Sequence, residues 1–339
     1  MPGDLTADPV ALFAPVAGRR GVGLAVSGGP DSLALLLLAA AWRRQCSTPP
    51  LFVYSVDHGL RAEAADEVRF VLETARHHHL PARGLRWEGP RPTSGIQAAA
   101  RQARYRLMRD AMVADGADVL VTAHHLGDQA ETVLMRLAHG SGIEGLRGMA
   151  RFATVEGCDL FRPLLGVAPD RLGQIVTAAG LTPVSDPSNL DDDYERVRWR
   201  RMLPLLAAQG LDAERLSRFA RRMGEADAMI ERQADAAREG LVRAAGPHAC
   251  RIEHAGFARL DRPVAVRLLA RVLADVGGQR KPHALGAIET LHDKLMLPTV
   301  LRRASLHGCL VGSDGTEITV NREGARRRSG AGNVVVTRN

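Results

Sequence analysis

Aromatic residues are scarce, at 4% of the 339-residue chain, which leaves few rings for stacking a ligand. Lysine is scarcer still: only Lys281 and Lys294 are present, so nearly all the positive charge is arginine. The four cysteines, Cys46, Cys158, Cys250 and Cys309, are isolated in sequence. No Cys-x-x-Cys pair, zinc knuckle or iron-sulfur spacing can be drawn from them, which argues against thiol or cluster chemistry. The longest unbroken apolar run, Leu33 to Trp42, is far short of the roughly 20 residues that span a bilayer. The first twenty residues carry Asp4 and Asp8 and lack a basic start followed by an apolar stretch, so no secretory leader is expected there. No repeat of fixed period runs through the chain, which excludes a solenoid. The expectation is a cytoplasmic enzyme with no membrane partner.

What is present is ample apolar material, 45% of the residues, enough for one large or two medium cores. The formal net charge is +7 and the sequence pI about 9.9. That balance fits a polyanionic partner such as RNA and fits a solvated basic surface equally well. From Gly21 to about Ala123, apolar strand-like runs at 22–26, 51–56 and 118–123 alternate with helix-length segments near 32–44, 62–79 and 95–115. This is the rhythm of an α/β fold with a parallel sheet. A helix-rich stretch is expected up to Leu206, then a charged helix from Ala213 to Ala245. Helices near Val264–Val276 and Pro282–Leu295 and strands around Ser305–Val311 and Glu317–Val320 complete a small α+β unit. The expected division is a catalytic domain at 1–206, a helical linker at 207–246, a small domain at 247–323 and a basic tail at 324–339.

Ligands of parallel sheets sit beyond the carboxyl ends of the strands, so Ser27–Ser32, Asp57–Gly59 and His124-His125 should share one rim. The segment Ser27-Gly28-Gly29-Pro30-Asp31-Ser32 reads as strand, glycine turn, helix. Its glycines let the backbone approach an anion, its serines offer hydroxyls, and the helix aims unpaired amides at the same point. It lacks the spacings of a P-loop and of Gly-x-Gly-x-x-Gly. An ordinary glycine turn with Asp31 or Ser32 as helix cap is the alternative. Arg101, Arg104 and Tyr105 fall on one helical face. His124, His125, Asp128 and Glu131 form the densest polar cluster; zinc on His124 and Asp128 ranks below a Mg²⁺-nucleotide site, which prefers oxygen ligands. Arg196 and Arg200 also share a helical face. His77-His78-His79 points in successive directions and cannot converge on one ion while helical.

The Ser27–Ser32 segment resembles the Ser-Gly-Gly-x-Asp-Ser loop of the N-type ATP pyrophosphatases of the PP-loop superfamily, which split ATP to AMP and pyrophosphate. Further stretches resemble one family within it, the tRNA(Ile)-lysidine synthetases: Val56–Arg61, Ala99–Tyr105, Thr122–Thr132, Gly140–Leu146, Arg162–Leu165 and Asp186–Asn189. Their order and spacing agree across 21–201, and the likeness is looser over 247–322. The resemblance implies an adenine nucleotide alpha hydrolase-like domain with a small appended tRNA-contacting domain. It implies ATP and Mg²⁺ as cofactors, tRNA(Ile) with a CAU anticodon and L-lysine as partners, and a homodimer as an admissible assembly. It assigns Ser27, Gly28, Gly29, Pro30, Asp31, Ser32, Asp57 and His58 to the nucleotide, and Asp31, Arg101, His124, Asp128, Arg196 and Arg200 to catalysis. The same resemblance makes a solvated basic face less credible for Arg101 than for Arg104. Gly127, Val197 and His139 stand where the family usually has aspartate, asparagine and arginine, so the metal falls to Asp31 and Asp128. The implied reaction adenylates the wobble cytidine and lets lysine displace AMP. A tRNA thiolase or another ATP-dependent tRNA base-modifying enzyme is the first alternative, a nucleotide-binding RNA-associated protein without turnover the second.

Overall fold

Leu33 to Trp42 is apolar on every face, and a helix of that kind is stable only when covered on all sides. It forms the body of a central helix packed between a parallel sheet and two shorter helices, with Leu33, Leu35, Leu36 and Ala39 wholly shielded. Each such leucine contributes up to about 2 kcal/mol of burial. The computed structural model describes residues 7–59, 63–88, 95–184, 195–278, 285–297 and 300–323. The chain divides into two compact units, residues 1–140 with 144–224, and residues 141–143 with 225–339.

In the first unit the chain runs α1 (Pro9–Phe13), β1 (Val22–Ala25), α2 (Pro30–Gln45), β2 (Leu51–Asp57), α3 (Ala64–His77), β3 (Ala82–Arg86), α4 (Ile96–Asp115) and β4 (Val119–Val121). It continues through α5 (Leu126–Ala138), α6 (Ile143–Leu146), β5 (Phe152–Val155), β6 (Cys158–Phe161), α7 (Pro169–Ala178) and α8 (Glu195–Ala208). The sheet order is β3-β2-β1-β4-β6-β5, parallel except for the β5 edge. The chain leaves β1 for β2 on one side and later returns to β4 on the other, so the crevice beyond β1 and β4 is the topological switch point where α/β sheets bind ligands. α1 and α7 cover α2, and Phe13 stacks on Trp42 with centroids 5.0 Å apart.

The second unit holds most of α9 (Ala213–Leu241), then β7 (Val242–Gly246), β8 (Ala249–Glu253), α10 (His254–Ala258), α11 (Arg262–Gly277), α12 (Leu285–Leu295), β9 (Ala304–Leu306), β10 (Cys309–Ser313) and β11 (Glu317–Arg322). Its antiparallel sheet, ordered β7-β8-β11-β10-β9, packs Ile252, Val311, Ile318 and Val320 against Leu268, Leu269 and Leu273 of α11. The expected α/β class with a small appended α+β unit is therefore the observed architecture.

Several expectations are corrected. The charged helix expected to Ala245 ends at Leu241, because residues 242–246 pair with β8 as a strand. The division between units falls inside α9, within the 207–246 stretch expected as the helical linker: Leu216 and Ala220 lie in a cluster with α5, whereas Ile230, Ala234 and Ala237 belong to the second core. The helix-rich stretch after His125 contains the β5–β6 hairpin, turned at Glu156 and Gly157 with φ of 51° and 74°, the positive pair a tight hairpin turn demands. The strand expected over Ser305–Val311 is split by a second such turn at His307-Gly308. Leu60-Arg61, Asp186–Asn189, Asp191–Tyr194, Pro282–Ala284 and the tail 324–339 lie outside the described residues.

Candidate active site

Val26 ends the buried run of β1, and the chain turns at Gly28, whose φ of +87° L side chains rarely adopt. Gly29 then starts α2 with no side-chain cap, and Pro30 occupies the first helical position, where an N–H is not needed. Ser32 is buried and holds the turn from within: its hydroxyl donates to Gly29 O at 3.0 Å, accepts from Ser27 N at 3.1 Å and lies 3.3 Å from Ser27 Oγ. Gly28 O accepts from Val184 N at 3.0 Å. The capping alternative is thus not what the chain uses at α2: neither Asp31 nor Ser32 seals the helix, and its positive end faces the rim.

β4 leads to the second part of the rim. Thr122 Oγ1 and His124 Nδ1 lie 2.8 Å apart. Burial lowers the His124 pKa to about 4; the Asp128 charge opposes this, while Arg162, Arg196 and Arg101 reinforce it. His124 is therefore a neutral imidazole at physiological pH. His125 caps α5: its Nδ1 accepts from Gly127 N at 3.0 Å, and Asp128 Oδ2 accepts from His125 N at 3.0 Å, a reciprocal capping box. Its Nε2 lies 3.5 Å from Asp31 Oδ2 and 3.6 Å from Asp128 Oδ2. Asp31 and Asp128, named for the metal by resemblance, are thus brought to one point. Burial drives the His125 pKa down, but the hydrogen bond with Asp31 and the charges of Asp128, Asp31 and Glu131 outweigh it and hold the group above its usual value.

One turn further along α5, the Glu131 carboxylate is 1% exposed. Arg200 Nε donates to Oε1 at 2.7 Å, and Arg196 Nε lies 3.2 Å from Oε2. Burial still raises the Glu131 pKa, against the lowering effect of Arg200. Arg200 also comes within 4.0 Å of Asp128, and Arg196 Nη2 donates to Thr132 Oγ1 at 3.3 Å. Arg196 and Arg200 do share a face, as their spacing requires, and it is spent on α5. Glu131 is consequently committed to two guanidinium groups.

On α4, Tyr105 is buried and both neighbouring arginines lie over its ring, Arg101 at 5.1 Å and Arg104 at 5.7 Å from the centroid. The sequence-based weighting of this pair is reversed. Arg104 is the enclosed one, its pKa lowered by burial, and Arg101 is exposed. Tyr105 takes the inward position of the face, and the residue beside it goes with it. Asp57 folds back on its own turn, its Oδ1 accepting from Gly59 N at 2.6 Å, which leaves His58 half-buried beside it.

Sequence reasoning left three members unassigned. Arg162 follows β6, is 6% exposed, and donates to Ala150 O at 2.8 Å. Arg136 donates to Gly145 O and Gly148 O, and the Gln129 amide bonds both ways with Met149, so the loop after α6 is tied to α5. A charged or amide side chain set among apolar neighbours is the only signal available for them, and partners so distant in sequence are invisible there. Among the described residues no group of three or more His, Cys, Asp or Glu is arranged to hold a metal, so any cation would need oxygens from a ligand or water. Three of the thiols are poor nucleophiles: burial pushes Cys158 and Cys309 up and Cys250 to about 11.

A family model described as a PP-loop domain matches residues 6–206, which include every member of this rim. A tRNA(Ile)-lysidine synthase of Rhodopseudomonas palustris is 46% identical over 286 residues, covering 84% of this chain and 82% of the relative. One of Bradyrhizobium diazoefficiens is 41% identical over 342 residues, covering 94% of each. The chain belongs to the tRNA(Ile)-lysidine synthase family. Among solved structures, the U34-tRNA thiolase NcsA from Methanococcus maripaludis superposes with a TM-score of 0.55 at 15% identity, covering 65% of this chain and 80% of that one. That likeness shows the fold alone. The rim built from β1, β4, α2 and α5 carries two of the segments that resemble this family, Ser27–Ser32 and Thr122–Thr132.

Proposed function

We propose that this chain uses ATP to activate the wobble cytidine of tRNA(Ile) with a CAU anticodon and couples it to L-lysine, giving lysidine, AMP and pyrophosphate. The modified tRNA then reads AUA as isoleucine. In the first step the cytidine C2 oxygen attacks the α-phosphorus of ATP and pyrophosphate leaves. In the second, an amine of lysine attacks C2, loses a proton, and AMP departs with the oxygen. Activation is needed because that oxygen leaves poorly on its own, whereas AMP leaves readily.

The uncapped start of α2 and the turn at Gly28-Gly29 would hold the triphosphate tail, with Ser27 and Ser32 fixing the turn. The donor set suits Mg²⁺: two carboxylates, Asp31 and Asp128, converge on one point and leave the remaining positions to phosphate oxygens and water. Bound there, Mg²⁺ would offset the charge of the triphosphate. Neutral His124 would act as a hydrogen-bond partner, not a cation, while Arg101 and Arg104 supply positive charge toward the nucleotide. Glu131 already bridges Arg196 and Arg200, so it is not free to orient the incoming amine. The second unit, with residues 247–323 at its heart, is assigned to contact with the tRNA, mainly through arginine and phosphate.

The observation that carries this proposal is likeness to lysidine synthases along nearly the whole chain, supported by His125 lying within 3.6 Å of both Asp31 and Asp128. The test is to mix the purified protein with ATP labelled at the α-phosphate, Mg²⁺ and tRNA. AMP should form and continued turnover should require lysine. ADP as product, lysine-independent turnover, or a need for a sulfur donor would overturn it.

A further inference from the structure

The proposed function gives His125 no task, yet its ring is fixed on every side. The residue is buried, with 7% of its surface exposed. Nδ1 accepts from Gly127 N at 3.0 Å and faces Asp128 N at 3.4 Å. A ring nitrogen that accepts carries no hydrogen, so the bonding assigns the proton to Nε2. That nitrogen lies 3.5 Å from Asp31 Oδ2 and 3.6 Å from Asp128 Oδ2. The backbone N–H of the same residue donates to Asp128 Oδ2 at 3.0 Å. One residue therefore reaches both carboxylates and caps the helix that carries one of them.

Gly127 makes this arrangement possible. Its φ is not in the left-handed region, so the backbone does not require glycine there. Space does. A Cβ at 127 would lie 2.9 Å from His125 Cε1, closer than real Cβ atoms approach, and 3.1 Å from Nδ1, so the ring would have to shift.

We propose that His125 is a positioning residue that holds Asp31 and Asp128 as a converging pair, and that Gly127 is the clearance its ring needs. The inference rests on the Mg²⁺-ATP reading of the rim. Two carboxylates brought together repel each other and rotate apart unless a shared donor lies between them. The Nε2–H is that donor, so the pair is already arranged when the nucleotide arrives, and neither side chain must be reoriented.

A purely capping role is separable from this one. His125→Asn retains a first-rate helix cap but is too short to reach two carboxylates. The test uses the full chain, Mn²⁺ as the probe followed by electron paramagnetic resonance, and a non-hydrolysable ATP analogue. His125→Asn should melt close to the parent and bind Mn²⁺ about tenfold more weakly. Gly127→Ala should weaken Mn²⁺ binding in the parent background and add nothing further in His125→Asn, since both changes act through the same ring. In turnover, both should raise KM for the metal-nucleotide more than they lower kcat. Unaltered Mn²⁺ affinity in His125→Asn, or strictly additive losses in the double variant, would overturn the inference and leave the metal site standing. A parent protein that shows no nucleotide-dependent Mn²⁺ binding would remove the Mg²⁺-ATP reading and the inference together. If His125→Asn does not fold, folded Gly127→Ala decides: weakened affinity supports the inference, and normal affinity overturns it.

Discussion

Two helices start at the same rim from neighbouring strands, and they start differently. α2 begins at Gly29 with no side chain closing its first turn, whereas α5 begins at His125 inside a reciprocal capping box. Both have the positive end of a helix dipole directed at the crevice. Among the described residues, only the first has no side chain capping its amides. The second has spent them on His125 Nδ1 and in exchange holds Asp128 in place. A helix N-terminus is an anion site only when the sequence declines to cap it, and of these two only α2 is left open.

The sharpest way to break the comparison is to cap α2. Gly29 has φ −71° and ψ 164°, which any residue adopts, and a Cβ there would touch only Ser27 Oγ at 3.9 Å. Gly29→Asp should therefore fold normally, with stability changed by only about a few tenths of a kcal/mol. Its carboxylate would stand where the triphosphate belongs. At about 4 kcal/mol for like charges some 4 Å apart near a protein surface, ATP affinity should fall on the order of 10²–10³-fold. Equilibrium binding beside a melting curve checks both halves. Retained ATP binding would mean that the open end of α2 is not the phosphate site.

Asp31→Ala removes the acidic group of the same first turn while leaving the backbone open. Its side chain is 37% exposed and no core contact depends on it, so the protein should stay folded. AMP formation should fall on the order of 10²-fold, the scale of losing one preorganised electrostatic partner. Arg101→Ala should cost less, about tenfold in AMP formation with an unaltered melting curve, because Arg101 is exposed. Arg104→Ala should also lower the melting temperature, because its guanidinium is enclosed over the Tyr105 ring. Equal behaviour of the two would contradict the placement of α4.

How much of this was legible in the residues depends on how local the cause is. The strand-turn-helix at 22–45 could be read directly, since apolar saturation, two glycines and a proline all act within a few residues. The α/β alternation and the clustering of Ser27–Ser32 with His124–Glu131 followed from the strand-end rule. The β5–β6 hairpin went unread although its turn residues, Glu156-Gly157, stand between short apolar runs, because a helical neighbourhood biased the segment. The Arg196–Glu131–Arg200 bridge joins groups more than sixty residues apart, and no spacing encodes it. The cap at His125 lay beyond reach for another reason: histidine is no standard capping residue, and only the space above Gly127 turns its ring into one.

The smallest effect concerns the sealed side of the rim and its neighbour His124. Burial holds the folded-state pKa of His124 at about 4, against 6.5 for an unburied histidine. The folded protein therefore binds fewer protons than the unfolded chain between those values. Stability attributable to this ring is complete above pH 6.5 and is lost as pH falls toward 4. Because the ring is only half-buried, solvent screening trims the effect to on the order of 1 kcal/mol, about 2–4 °C in melting temperature. Melting curves of the parent and of His124→Asn at pH 6.5 and pH 5 should converge as the pH falls, the parent losing more, before the carboxylates begin to titrate. The gap would instead stay constant if the His124 ring were charged in the folded protein, and its hydrogen bond with Thr122 would then have to run from the imidazolium to the hydroxyl.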